Sequence, residues 1–170
     1  MRVRRATDDD WPAIWPIWHA VVQGGDTYVW PPSTPEPAAR ALWMLPPPAE
    51  VWLGEDDDDR VVATAKLIPN QPGLGDHIAN ASFMVDPARH GEGLGRQLAE
   101  AVIARAQEAG YEAMQFNAVV ASNTPAVALW QALGFATVGR IPGGFRHATL
   151  GPVDLLIMFR RLEEDGEDGH

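Results

Sequence analysis

Apolar residues recur at three- to four-residue spacing over Trp11, Ile14, Trp15, Trp18 and Val22, which predicts an amphipathic helix. Thr7 or one of the acids after it caps that helix, Pro12 suits its first turn, and Pro16 is expected to kink or split it. A short strand over 3–6 precedes it. A second helix is expected from Thr34 as cap and Pro35 as first residue through Trp43, ending before Pro46, Pro47 and Pro48. The pattern then shifts to strands over 50–54, 60–68 and 77–85, the first two joined by an acidic turn, the last preceded by a Pro/Gly-rich loop at 70–75. Helical spacing returns at Leu94, Leu98, Ala101, Val102 and Ala104, with Gly110 as a stop. A strand over 111–121, a helix over 124–133 between Asn123 as cap and Gly134 as terminator, and strands over 135–141 and 153–160 complete the pattern.

Consecutive strands followed by alternating strand and helix imply an α/β protein with a mixed sheet and helices on its faces. Neither a repeat nor a linker divides the 170 residues, so residues 1–162 are expected to form one domain. Residues 163–170 are acidic and glycine-containing, and a disordered tail is expected there.

Composition narrows the chemistry. With no cysteine, a disulfide scaffold, a thiolate metal site and a cysteine nucleophile are all excluded. The formal charge of -10 disfavours nucleic acid and anionic membranes as partners. That excess is local: residues 55–59 and the tail hold ten acids, and without them 13 acids face 13 bases. An anionic ligand therefore needs a localised site. The basic start is followed by Thr7, Asp8, Asp9 and Asp10 instead of an apolar run, so no secretory signal is expected. The apolar stretch 13–22 is too short to span a bilayer, and a soluble cytoplasmic protein is the default.

Such a site is legible at Gly91, Gly93 and Gly95, three glycines in five residues between a strand and a helix. Backbone N–H groups left unblocked there, together with the positive end of the helix, suit an anion. Arg96 and Gln97 after Gly95 do not make a Walker loop, and the glycine spacing is wrong for a dinucleotide fingerprint.

Arg89 to Arg96, preceded by Phe83, Met84, Val85, Asp86 and Pro87, resembles the coenzyme A pyrophosphate loop of the GCN5-related N-acetyltransferases, Gln/Arg-x-x-Gly-x-Gly/Ala. Gly93 and Gly95 match its small positions, and His90 replaces the first Gln or Arg. Residues 123–135, with Asn123, Ala126, Leu129, Trp130, Gly134 and Phe135, are similar to the family's Asn-x-x-Ala-x-x-Leu-Tyr-x-x-x-Gly-Phe segment, about 30 residues downstream as the family order requires. The opening Val3 to Thr7 also resembles the family start. The resemblance implies the family's acyl-CoA N-acyltransferase fold, a mostly antiparallel sheet of six to seven strands with helices on both faces.

It also implies acetyl-coenzyme A as cosubstrate. The backbone of Phe83, Met84 and Val85 would pair with the pantetheine arm, much as an added strand pairs with a sheet edge. Gly91, Glu92, Gly93, Leu94, Gly95 and Arg96 would present N–H groups to the pyrophosphate, and Asn123 would bond the pantetheine region while capping its helix. The acceptor implied is a primary amine of a small molecule that attacks the thioester directly in a ternary complex. The alternatives are a protein N-terminus or lysine as acceptor, and a non-catalytic acyl-coenzyme A sensor. A homodimer is left open.

Two positions depart from the family pattern. Trp130 stands where a tyrosine commonly protonates the leaving thiolate, and an indole N–H is far too weak an acid for that. The strand over 111–121 carries Phe116, Asn117 and Ala118 at its centre in place of a carboxylate base. His77 at a strand start and His147 in a loop expected to face the acceptor are the substitute bases, with water as the alternative. Asp154 and Tyr28 are further candidate substrate contacts. Trp30 and Trp43 either join the core or wall an acceptor pocket.

Overall fold

A computed structural model describes residues 1–162; the expected disordered tail lies outside them. Seven strands form one sheet in the order β1-β2-β3-β4-β5-β7-β6. They are β1 (Arg2–Arg5), β2 (Glu50–Glu55), β3 (Val61–Pro69), β4 (Ile78–Val85), β5 (Ala113–Val120), β6 (Ala136–His147) and β7 (Gly151–Arg161). Every neighbouring pair is antiparallel except β4 and β5. The helices are α1 (Trp11–Gln23), α2 (Glu36–Trp43), α3 (Leu94–Glu108) and α4 (Thr124–Ala132). The fold is the mixed α/β architecture that the pattern implies, with the mostly antiparallel sheet that the resemblance implies.

Strand alternation divides the core into two layers. Ala79 and Ala81 of β4, with Ala63, Ala65 and Leu67 of β3, meet Leu98, Val102 and Ile103 of α3 and Trp130 of α4. Met84 of β4, with Val51 and Leu53 of β2, meets Ile14, Trp18 and Val22 of α1 and Trp43 of α2. The helices thus sit in pairs on opposite faces. Each fully buried large side chain contributes roughly 1.5–3 kcal/mol of transfer free energy.

Three local readings change. Of the kink or split expected at Pro16, the split does not occur, and α1 runs unbroken for 13 residues. Only the bond to the Pro12 carbonyl is forfeited, while Ile14, Ile17, Trp18 and Val22 stay buried. At α2 the cap position is Pro35 and the helix starts at Glu36; the Thr34 hydroxyl donates to the Pro31 carbonyl instead of capping. The expected loop around Gly143 and Gly144 is strand: β6 continues through a bulge between Ile141 and Phe145 to pair His147 with Gly151.

The acidic turn is not wholly solvated. Glu55 is buried and bridges Arg2 and Arg4, the latter at 2.8 Å. Hydrogen bonds from the two guanidiniums hold its carboxyl below the usual range.

Candidate active site

The sheet opens at its one parallel seam. β4 and β5 pair only at Ile78 with Ala113 and Ala79 with Met114. Beyond that point β5 bulges between Phe116 and Val119 against β7, which carries it away from β4. A cleft of about 280 Å³ fills the gap, lined by Phe83, Phe116, Asn117, Asn123, Trp130 and Tyr28 among others.

Ladder parity fixes which β4 backbone groups face this cleft. The Asp86 N–H donates to the Val62 carbonyl at 2.8 Å, so Asp86, Met84 and Ser82 turn their backbone groups to β3. Phe83 and Val85 turn theirs into the gap. Met84 therefore departs from the expectation of a backbone contact with a bound arm: its backbone faces β3 and its side chain is buried among α1 and α2 residues.

The Phe83 groups are already engaged. The Tyr28 hydroxyl donates to the Phe83 carbonyl at 2.7 Å and accepts from the Phe83 N–H at 2.9 Å. Burial raises the Tyr28 pKa well above its ordinary value, so the phenol stays protonated. Tyr28 stacks on Trp30 with ring centroids 5.1 Å apart, and Trp30 stacks on the fully buried Trp18 at 5.4 Å. Of the two candidate pocket tryptophans, Trp30 lines the cleft while Trp43 is core, its Nε1 donating to Thr64 Oγ1 at 3.1 Å. Behind them Lys66 donates to the Leu42 carbonyl at 2.8 Å with its ammonium 5.4 and 5.3 Å from the Trp30 and Trp43 rings. Burial lowers the Lys66 pKa to about 8.

On the other face, Trp130 is buried against Phe83 (5.1 Å) and Phe116 (4.5 Å), which makes it part of the cleft floor. Asn123 caps α4 through Oδ1, 3.4 Å from the Ala126 N–H, and also lines the cleft.

The glycine turn leads into α3 from the far end of β4. Gly91 and Gly93 hold φ of +81° and +74°, where side chains are strained, and a Cβ on either would project into open space. The first α3 bond runs from the Gln97 N–H to the Gly93 carbonyl, so the N–H groups of Leu94, Gly95 and Arg96 precede the helical ladder and are free to meet an anion. The side chains around them are neutralised locally. Arg89 bonds Glu92 at 2.6 Å and Asp56 at 2.8 Å, and Arg96 bonds Glu100 at 2.9 Å. Backbone, not side-chain charge, makes this turn attractive to an anion.

The two histidines are not brought to the cleft. His77 is exposed ahead of β4, its carbonyl accepting from the Glu112 N–H. His147 ends β6, where its Nδ1 accepts from the Thr149 and Leu150 N–H groups at 3.1 and 3.2 Å. Asp154 is likewise committed, holding the β6 bulge through Arg140 and the Gly143 N–H. Asn80, Ser82 and Asn117 do line the cleft. Their signal was present as polar residues alternating with Ala79, Ala81 and Phe83, and as a polar break at the centre of β5.

The parallel seam thus splits beside a helix that starts on a glycine turn. A sequence model of the acetyltransferase (GNAT) family matches residues 9–135. The chain belongs to that family, whose cosubstrate is acetyl-coenzyme A. A GCN5-related N-acetyltransferase from Kribbella flavida is 46% identical and superposes with a TM-score of 0.90, over 94% of this chain and 96% of that one. The phosphinothricin acetyltransferase Pat from Sinorhizobium meliloti, solved in complex with acetyl-coenzyme A, shares the fold with a TM-score of 0.85 at 20% identity, over 99% and 91% of the two chains. The N-acetyltransferase aca1 of Schizosaccharomyces pombe is 40% identical over 73 residues, 43% of this chain and 35% of that relative. Among the described residues no helix is long and apolar enough to cross a membrane.

Proposed function

We propose that the protein transfers the acetyl group of acetyl-coenzyme A to a primary amine of a small molecule, by direct attack in a ternary complex. The observation that carries this reading is the split between β4 and β5, with Val85 facing the gap and the glycine turn lying beyond the same end of β4. The N–H groups of residues 91–96 would hold the pyrophosphate, Val85 would pair with the arm, and the free Asn123 amide NH2 would bond the pantetheine. Attack by the amine nitrogen forms the C–N bond and moves the carbonyl electrons onto oxygen, where the Val85 N–H is the donor that stabilises them. Collapse of that intermediate breaks the C–S bond and releases the thiolate.

The cleft lining, among the described residues, contains no Asp, Glu, Lys, Arg or His. That supports loss of the amine proton to water in preference to His77 or His147. An alkylamine near pKa 10 is only about 0.1% neutral at pH 7, so the rate with such an acceptor should rise steeply with pH. The replacement of the usual tyrosine by Trp130 favours a second reading, an acyl-coenzyme A binding module without turnover. Thiol release from acetyl-coenzyme A with a panel of small amines and of peptides separates the readings. Release with small amines is expected; release only with peptides, or binding without release, would overturn the proposal.

A further inference from the structure

Alternation along β4 and β5 divides the cleft lining between the two faces of the sheet. Ala79 and Ala81 of β4, with Met114 and Phe116 of β5, point to the α3 and α4 face, whereas Met84 points to α1 and α2. Asn80 and Ser82, in phase with Met84, and Asn117, out of phase with Phe116, therefore line the α1 side of the cleft. Tyr28, Val29 and Trp30, in the connection between α1 and α2, cover that side. With the donor arm assigned to Asn123 on the α4 side, this half is left for the acceptor.

Its chemistry is neutral throughout. Among the described residues no charged side chain lines it; Lys66 lies behind the Trp30 ring, with its ammonium bonded to the Leu42 carbonyl at 2.8 Å. The Asn117 amide is spent on Asn70 and Gln115 at 2.7 and 2.9 Å, and the Ser82 and Tyr28 hydroxyls are partners of each other. The Asn80 carboxamide has no hydrogen-bond partner among the described residues. Beside the stacked pair of Tyr28 and Trp30, Val29 leaves 58% of its apolar surface open to solvent.

We propose that the acceptor is an amine whose body is aromatic or branched apolar and carries no second charge, seated against Val29 and the Tyr28–Trp30 stack with the Asn80 carboxamide as the polar group that meets it. This inference rests on the small-amine acetyltransferase reading. A carboxylate or a second ammonium on the body would lose its water without gaining a counter-ion. The reacting nitrogen meets the same cost in its protonated form, so this lining also favours the neutral nucleophile.

The test is the initial rate of thiol release from acetyl-coenzyme A with three benzylamines that differ only in the para group: methyl, carboxylate or aminomethyl. Wild type should favour the methyl compound in kcat/KM by at least about thirtyfold over either charged one, as expected when a charge is left unpaired in an apolar cleft. Asn80→Asp should raise the ratio of the aminomethyl to the carboxylate compound by at least about tenfold, since its carboxylate attracts one charge and repels the other. Asn80→Lys should lower that ratio, so a variant that fails to fold leaves the other to decide. Comparing acceptors on one variant cancels any partial loss of folded protein. A charged benzylamine used by wild type as well as the methyl one would overturn the inference, as would a ratio unmoved by the variants. Release with other small amines but none of these three would overturn it too. Release with peptides alone, or with no amine, would instead overturn the small-amine reading on which it rests.

Discussion

The guanidinium of Arg89 lies 2.8 Å from the Asp56 carboxylate, tying the turn between β2 and β3 to the glycine turn that leads into α3. Glu92 clamps the same guanidinium from the other side at 2.6 Å. The basic residue of the loop thus acts as an internal strut. Because the N–H groups of a glycine-rich turn bind an anion only when held in place, the strut should matter for affinity. Asp56→Ala is expected to weaken coenzyme A binding by about two- to fivefold, in keeping with a partly exposed ion pair. Titration calorimetry checks this, and the loss should shrink in high salt.

Gly93 adopts φ +74° with open space where a Cβ would stand. Gly93→Val should cost about 1–2 kcal/mol of stability from backbone strain and crowd the cradle with an isopropyl group. Coenzyme A affinity is expected to fall at least about a hundredfold, as when several charge-assisted bonds are lost, while circular dichroism stays native. Unchanged affinity would remove the cradle from the site.

Trp130 packs on Phe83, Phe116 and Phe135 as the floor of the cleft. Trp130→Phe should keep turnover within about tenfold of wild type, whereas Trp130→Ala should lose roughly 3–5 kcal/mol of stability through the cavity it leaves. A loss above about a hundredfold in the phenylalanine variant, with the melting temperature unchanged, would assign the indole a part in the chemistry.

His147 spends its Nδ1 on the turn between β6 and β7 and does not line the cleft. His147→Ala is expected to change kcat/KM by less than about threefold and to lower stability by about 1 kcal/mol through two lost hydrogen bonds. A loss of kcat/KM above about a hundredfold in this variant, with the melting temperature changed by no more than those two bonds account for, would identify the imidazole as the base after all.

Lys66 is buried under Trp30 and Trp43, and burial lowers its pKa from 10.5 to about 8. Unfolded, the side chain keeps its proton up to about 10.5; folded, it sheds it above about 8. Between those values the unfolded chain binds more protons, so this group makes stability rise with pH. Urea denaturation from pH 7 to 10 should show that rise in wild type, and Lys66→Met should flatten it.

The three-to-four spacing marked most of the buried face of α1 and, in α3, Leu94, Leu98 and Val102, because period decides which side of an element meets the core; Ala104 is exposed instead, and Ala99, Ile103 and Ala106 complete the α3 face. The glycine turn was legible for a similar reason. Two glycines before α3 and a third in its first turn leave the backbone free of side chains there, and Gly91 and Gly93 hold the positive φ that their residue type permits. Local sequence said nothing of what reaches across from another element. Tyr28 lies 55 residues from Phe83, and Arg89 33 residues from Asp56. His147 read as a loop residue facing an acceptor until the pairing of β6 with β7 turned its ring nitrogen onto two backbone amides. Pro16 read as a kink or a split, and burial of α1 outweighed the one missing hydrogen bond that a split would have followed. By itself the chain determined most of its elements, a mixed sheet with helices on its faces and a glycine turn ahead of α3, since these follow from local geometry and apolar period. The tertiary structure alone decided which donors face the split sheet and which charges are spent on one another, because those depend on strand register and on contacts between distant residues.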